Sequence, residues 1–126
     1  NITRKEQKAS KFTFRPMVYI CSPYAGDTKT NTLNARRYSR FAYDMGAIPI
    51  APHLLFPQFI DDTDPDERNT AMFMNAVILG KCRELWVFGE IISHGMSREI
   101  DRAKKRNMKV RYFTDECEEF KQEALR

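Results

Sequence analysis

The sequence predicts a single α/β domain of flavodoxin-like type, with a parallel sheet covered by helices on both faces. Three observations predict it. Short apolar runs rich in β-formers alternate with stretches of helical periodicity, which is the pattern of repeated β-α units. The run Leu85-Trp86-Val87-Phe88 is apolar without interruption, as in a strand buried on both faces. The chain has 126 residues, enough for one domain with a real core and too few for two ordinary ones.

Met17 to Cys21 reads as the first and central strand, ended by Ser22-Pro23. The small polar stretch Ser22 to Thr32 reads as a loop feeding a helix, with Asn31 or Thr32 as its cap. Tyr38, Phe41, Ala42 and Met45 mark the apolar stripe of that helix, and Gly46 fits its stop. Ala47 to Ala51 reads as a second strand, placed at a sheet edge by Pro49. A longer connection follows, with apolar Leu54, Leu55, Phe56, Phe59 and Ile60; such a loop covers a ligand or a partner subunit. A second helix is expected from about Asp66 to Lys81, with its C-terminal half apolar on several sides and therefore well buried.

Glu84 to Phe88 is the third strand, and Glu90 to Gly95 a loop. From Met96 the apolar residues recur at Ile100 and Ala103, which sets a helix start there and puts Glu99 in its first turn. Lys109 to Phe113 is the last strand, and Thr114 or Asp115 opens a short closing helix. The expected sheet therefore has four parallel strands in the order 2-1-3-4, with right-handed crossovers.

The charge is unevenly placed. Residues 1–15 carry Arg4, Lys5, Lys8, Lys11 and Arg15 against Glu6 alone, which accounts for the whole net charge of +4. The domain is thus read as residues 16–126 behind a basic tail, and nucleic acid is a partner only through that tail. No apolar run reaches membrane-spanning length, and no segment reads as a signal peptide. Cys21, Cys82 and Cys117 are odd in number and far apart, which points to a reducing, cytoplasmic setting; Cys21 and Cys82 read as packing residues. His53 and His94 are isolated, so no metal site and no cofactor is expected.

In a doubly wound sheet the loops after the strands meet at one edge. Here those loops are Ser22 to Asp27, His53 to Asp62 and Glu90 to Glu99, and together they bring a Tyr, small residues, a His, several acids and Glu99 to one place. The loop Ser22 to Asp27 has one glycine and lacks the spacing of a Walker or dinucleotide fingerprint. It reads either as a tight turn or as a cradle for sugar or phosphate at a helix N-terminus. Glu99 reads either as an ordinary first-turn carboxylate or as a reactive group; Met96 occupies the place where a capping box needs Ser or Thr. No Ser/His/Asp or Cys/His arrangement is visible in the order of the chain.

The strand phrase VYIC, its small-residue loop, the buried strand and the pattern S-x-G-x-x-x-E opening a helix resemble the nucleoside 2-deoxyribosyltransferase-like superfamily. The phrases YICSPYAGD, PIAPHLLFPQF and ELWVFG…GMSREI resemble a small bacterial and phage domain family of unknown function, over Met17 to Phe113. The resemblance implies Glu99 as a nucleophile on the anomeric carbon, with Tyr19 or Tyr24 positioning it. Ser93 stands where deoxyribosyltransferases carry an aspartate and where deoxynucleoside 5′-monophosphate N-glycosidases carry a phosphate-binding serine. Ser22, Pro23, Tyr24, Gly26, His53, Ser93, Gly95 and Met96 are the implied substrate contacts. Asn75 is the nearest match to an acid that handles the leaving base, and an amide cannot act as one. The glycosidase loop carries an Arg where this chain has Tyr24-Ala25-Gly26, and Arg68 or Arg98 is the replacement available.

The implied activity is cleavage of an N-glycosidic bond in a nucleotide or nucleoside, by hydrolysis or deoxyribosyl transfer. The rival is a nucleotide-binding or accessory module of the same fold that turns nothing over. The resemblance also implies a homodimer or larger assembly.

Overall fold

The computed structural model describes residues 13–122. Its elements in chain order are β1 (Met17–Cys21), α1 (Thr28–Asp44), β2 (Ile48–Ile50), α2 (Pro65–Lys81), β3 (Glu84–Phe88), α3 (His94–Lys105), β4 (Lys109–Phe113) and β5 (Glu119–Phe120). Two short 3-10 turns, Pro52–Leu54 and Phe56–Gln58, fill the connection between β2 and α2. The sheet order is β2-β1-β3-β4-β5. The first four strands are parallel, with Tyr19 opposite Leu85 and Val87 opposite Tyr112. The fold is flavodoxin-like, with β2 at one edge as Pro49 requires.

Alternation along the strands sorts their side chains between two cores. Tyr19, Cys21, Leu85 and Val87 pack on one face with Leu79 of α2 and Met96 of α3. Val18, Ile20, Trp86 and Phe88 pack on the other with Tyr38 and Ala42 of α1. The second core is aromatic. The Phe88 ring lies between those of Tyr38, at 4.4 Å, and Phe113, at 4.9 Å, and stacks on both. Phe88→Ala is expected to cost about 3–5 kcal/mol of stability, read as a lower urea midpoint with an unchanged slope.

Several features differ from the sequence expectations, each for a local reason. Among the described residues no helix opens at Thr114 or Asp115. Thr114 Oγ1 instead accepts from the backbone N–H of Glu116 and Glu118, and Cys117 takes a left-handed conformation with φ 65°. The chain turns back as β5, antiparallel to β4, and Arg111 clamps Glu119 through two bonds of 2.9 and 2.7 Å. Among the described residues the sheet therefore has five strands, not four. The first helix is capped by Asp27, whose carboxylate accepts from Thr30 N–H, and not by Asn31 or Thr32. Asn31 instead holds the preceding loop by donating to the carbonyls of Tyr24 and Ala25.

The second helix starts one residue early, on Asp64 as cap and Pro65 as first residue. Its C-terminal half is less buried than expected. Ala71 and Leu79 face the core, while Phe73 is 69% exposed and Val77 46%, because only one stripe of α2 reaches the sheet. The third helix begins at His94 on a Ser93 cap, so Glu99 stands in its second turn. Residues 1–12, most of the basic tail, lie outside the described residues. Arg15, at its inner end, is fastened to the domain through the carbonyls of Tyr43 and Ala47.

Candidate functional site

The carboxyl ends of β1, β2 and β3 open onto a cavity of about 700 Å³, walled also by α2 and α3. Glu99 forms part of its wall. The polypeptide aims it there because α3 buries Met96, Ile100 and Ala103 against the sheet, and Glu99 flanks that stripe. It stands in the second turn of α3 and caps no backbone group; Ser93 is the cap instead.

Tyr19 does not line the cavity. It lies beneath it, 1% exposed, and its hydroxyl donates to Glu99 Oε2 at 2.5 Å. Burial, and then the charge of Glu99, push the phenol far above its ordinary value, so Tyr19 remains a proton donor at every working pH. Cys21 stands two residues further along the same strand and on the same face. Its Sγ lies 3.9 Å from the Met96 carbonyl, and burial first, then Glu99, hold it as a neutral thiol. Burial raises the Glu99 carboxyl above the ordinary range. Hydrogen bonding from Tyr19 and Cys21, and the charge of Arg98, oppose that rise. A partly desolvated carboxylate, held by a permanent donor and facing an open cavity, is chemically a nucleophile or an electrostatic partner for a developing cation.

The loop after β1 brings Ser22, Pro23, Tyr24 and Gly26 to the cavity. Gly26 has φ +91°, a conformation that favours glycine and lets the loop turn into α1. The loop after β3 brings Ser93, Gly95 and Met96. Ser93 Oγ accepts from Met96 N–H at 3.2 Å, which leaves its hydroxyl proton free to donate. From α2 comes Asn75, whose Oδ1 is buried and lacks a hydrogen-bond partner. A buried amide oxygen left open costs stability unless a ligand or water fills it. The candidate residues from four separate stretches thus meet in one cavity, with Tyr19 below its floor.

The chain order gave no sign of one pair. Ser22 Oγ and His53 Nε2 are 3.1 Å apart across 31 residues. No motif links them; only the adjacency of β1 and β2 could have shown it. The Tyr24 ring stacks on the imidazole at 5.5 Å. Arg68, Arg98, Asp62 and Phe56 also line the cavity and complete its charged and aromatic parts. Arg98 crosses to α2, where it meets Met72 Sδ at 3.4 Å. Among the described residues no group of three His, Cys, Asp or Glu side chains is arranged to hold a metal. No described helix is long and apolar enough to cross a membrane.

Burial lowers the His53 pKa from 6.5 to about 4. The unfolded chain therefore binds this proton more tightly than the folded one. The corresponding stability is complete above pH 6.5 and is lost as pH falls towards 4, by about 3 kcal/mol. Thermal melts between pH 7 and 4 should show that loss, and His53→Phe should reduce it.

The same architecture is found in the 2-deoxyribosyltransferase of the psychrotolerant bacterium Bacillus psychrosaccharolyticus, a biocatalyst for nucleoside synthesis. The two share 12% sequence identity and superpose with a TM-score of 0.65, over 78% of this chain and 72% of that one. At that identity the likeness carries the fold. No curated protein sequence matches the chain. The model of a domain of unknown function, DUF7768, matches residues 16–113, from the residue before β1 to the last residue of β4. The matched span takes in every residue that lines the cavity, and the chain belongs to the DUF7768 family.

Proposed function

We propose that the protein cleaves the N-glycosidic bond of a nucleotide or nucleoside through Glu99. The observation that carries this reading is the 2.5 Å bond from Tyr19 to a Glu99 carboxylate that faces the cavity. In the first step a Glu99 oxygen bonds to the anomeric carbon as the carbon–nitrogen bond breaks. The base leaves with the bonding electron pair and takes a proton from solvent, since Asn75 has none to give. In the second step water attacks the same carbon, the Glu99 ester is released, and the proton of that water is returned to solvent. A second base in place of water would make the reaction a transfer. The developing charge is oxocarbenium-like, which a fixed carboxylate stabilises. The shared architecture with a 2-deoxyribosyltransferase supports the choice of substrate class.

Chromatography for free base, after incubation with a panel of deoxy- and ribonucleosides and their 5′-monophosphates, tests the reading. Release by the wild type, absent in Glu99→Ala, is expected. Ligand-induced stabilisation with no base released by either would favour the rival reading, a nucleotide-binding module.

The outer face of α2 supports a second copy of the chain as partner. Met72, Phe73 and Val77 are exposed there, and Met72 also lines the cavity. The helix is acidic at its start, with Asp66 and Glu67, and is flanked by Lys81, Arg102 and Arg106 at its end. Antiparallel packing of two such helices would pair acidic with basic ends and bury both Phe73 rings. Light scattering at micromolar concentration is expected to give a dimer, and Phe73→Glu a monomer. A wild-type monomer would contradict it.

A further inference from the structure

We infer that Ser22 and His53 act as one unit, a subsite that reads a pentose hydroxyl, with His53 as the residue that positions Ser22. The inference rests on the proposed cleavage only in assuming that a pentose enters the cavity. Ser22 is 5% exposed and lines the cavity just beyond the end of β1. Its place beside the nucleophile is fixed by the strand, since the adjacent Cys21 contacts the carbonyl of Met96, one turn before Glu99.

A free serine hydroxyl rotates and presents a donor or an acceptor with equal ease. Here that choice is tied to the imidazole, because His53 Nε2 lies 3.1 Å away. The imidazole is held in turn by the Tyr24 ring stacked on it and by the short turn Pro52–Leu54. A neutral imidazole can accept at Nε2 or, as the other tautomer, donate there. When it accepts, Ser22 turns its lone pairs to the cavity; when it donates, Ser22 turns its proton there. The pair therefore matches a group that both gives and takes a hydrogen bond, and a sugar hydroxyl is such a group. A carboxylate or a fully ionised phosphate uses only one of the two states. The Tyr24 and His53 rings supply an apolar wall for the carbon face of the pentose beside that hydroxyl.

The test is a cycle between the protein and the substrate. A 2′-deoxynucleoside is compared with its 2′,3′-dideoxy analogue in wild type, Ser22→Ala, His53→Phe and the double variant. His53→Phe keeps a ring against Tyr24 and removes the hydrogen bond. Wild type should prefer the hydroxylated sugar by roughly threefold to tenfold in kcat/KM, the size of one neutral hydrogen bond. Each single variant should lose that preference, and the double variant should lose no more. His53→Gln, which can still reach Ser22, should restore part of it. A preference that persists in Ser22→Ala or in His53→Phe overturns the inference. So does an equal fall for both sugars, which is what a purely structural role would give. The same comparison is made by calorimetric binding to Glu99→Gln, which needs no turnover. Failure of cleavage with the preference still visible in binding refutes the proposed reaction and leaves the subsite standing. Equal binding of both sugars, or binding of neither, refutes the subsite.

Discussion

Glu99→Gln is expected to abolish base release, by at least about a thousandfold, while making the fold more stable at neutral pH. The loss follows from the chemistry. An amide accepts the Tyr19 hydrogen bond but forms no ester with the anomeric carbon, and removing an essential nucleophile leaves only the residual effect of binding. The gain in stability follows from burial, which raises the carboxyl above its ordinary value in the folded chain. Below the ordinary carboxyl range both folded and unfolded chains hold the proton, and the group costs nothing. As pH rises the unfolded chain releases its proton first, and ionising the buried group then opposes folding. Glu99→Gln should therefore raise the melting temperature at pH 7 and change it little at pH 3. A variant no more stable than wild type at pH 7 would mean that the hydrogen bonds to Glu99 outweigh its burial.

Tyr19→Phe is expected to lower kcat/KM by roughly tenfold to a hundredfold, the worth of a hydrogen bond to a charged group. It should also move the acidic limb of the pH–rate profile upward. Tyr19 lowers the Glu99 pKa against the larger effect of burial, so losing the hydroxyl leaves burial less opposed. More alkaline conditions are then needed to ionise the nucleophile. A uniform fall in rate with the limb unmoved would make Tyr19 a packing residue. The phenol lies beneath the cavity and touches the ligand only through Glu99, so its effect should appear in kcat more than in KM.

The order of strands and helices was legible because it rests on local signals: apolar runs such as Leu85 to Phe88, and the 3.6-residue stripe of Met96, Ile100 and Ala103. The ends of the elements were less legible, because side-chain hydrogen bonds set them. Asp27 and Asp64 were ordinary loop acids until the turns they cap were seen. Thr114 and Cys117 replaced an expected helix with a turn, and the fifth strand followed. The exposure of Phe73 and Val77 was hidden for another reason. An apolar residue that faces a partner looks the same in sequence as one that faces a core. At the site, the meeting of Ser22, His53 and Glu99 was expected from the rule that loops gather at the carboxyl edge of a parallel sheet, whereas Asn75, on a helix, was implied only by the family resemblance. The hydrogen bond between Ser22 and His53 was not expected, because strand adjacency rather than spacing creates it.

The most direct test of Glu99 as a nucleophile is the mass of the protein after brief incubation with 2′-fluoro-2′-deoxynucleosides and their 5′-monophosphates. The fluorine disfavours the oxocarbenium-like charge of the second step, so a glycosyl ester should accumulate when the base is a good leaving group. Intact protein heavier by one fluorinated sugar, or sugar phosphate, is expected, with the added mass on the peptide that holds Glu99 and none in Glu99→Gln. Base released with no ester formed, or an ester on another residue, would contradict the assignment of Glu99.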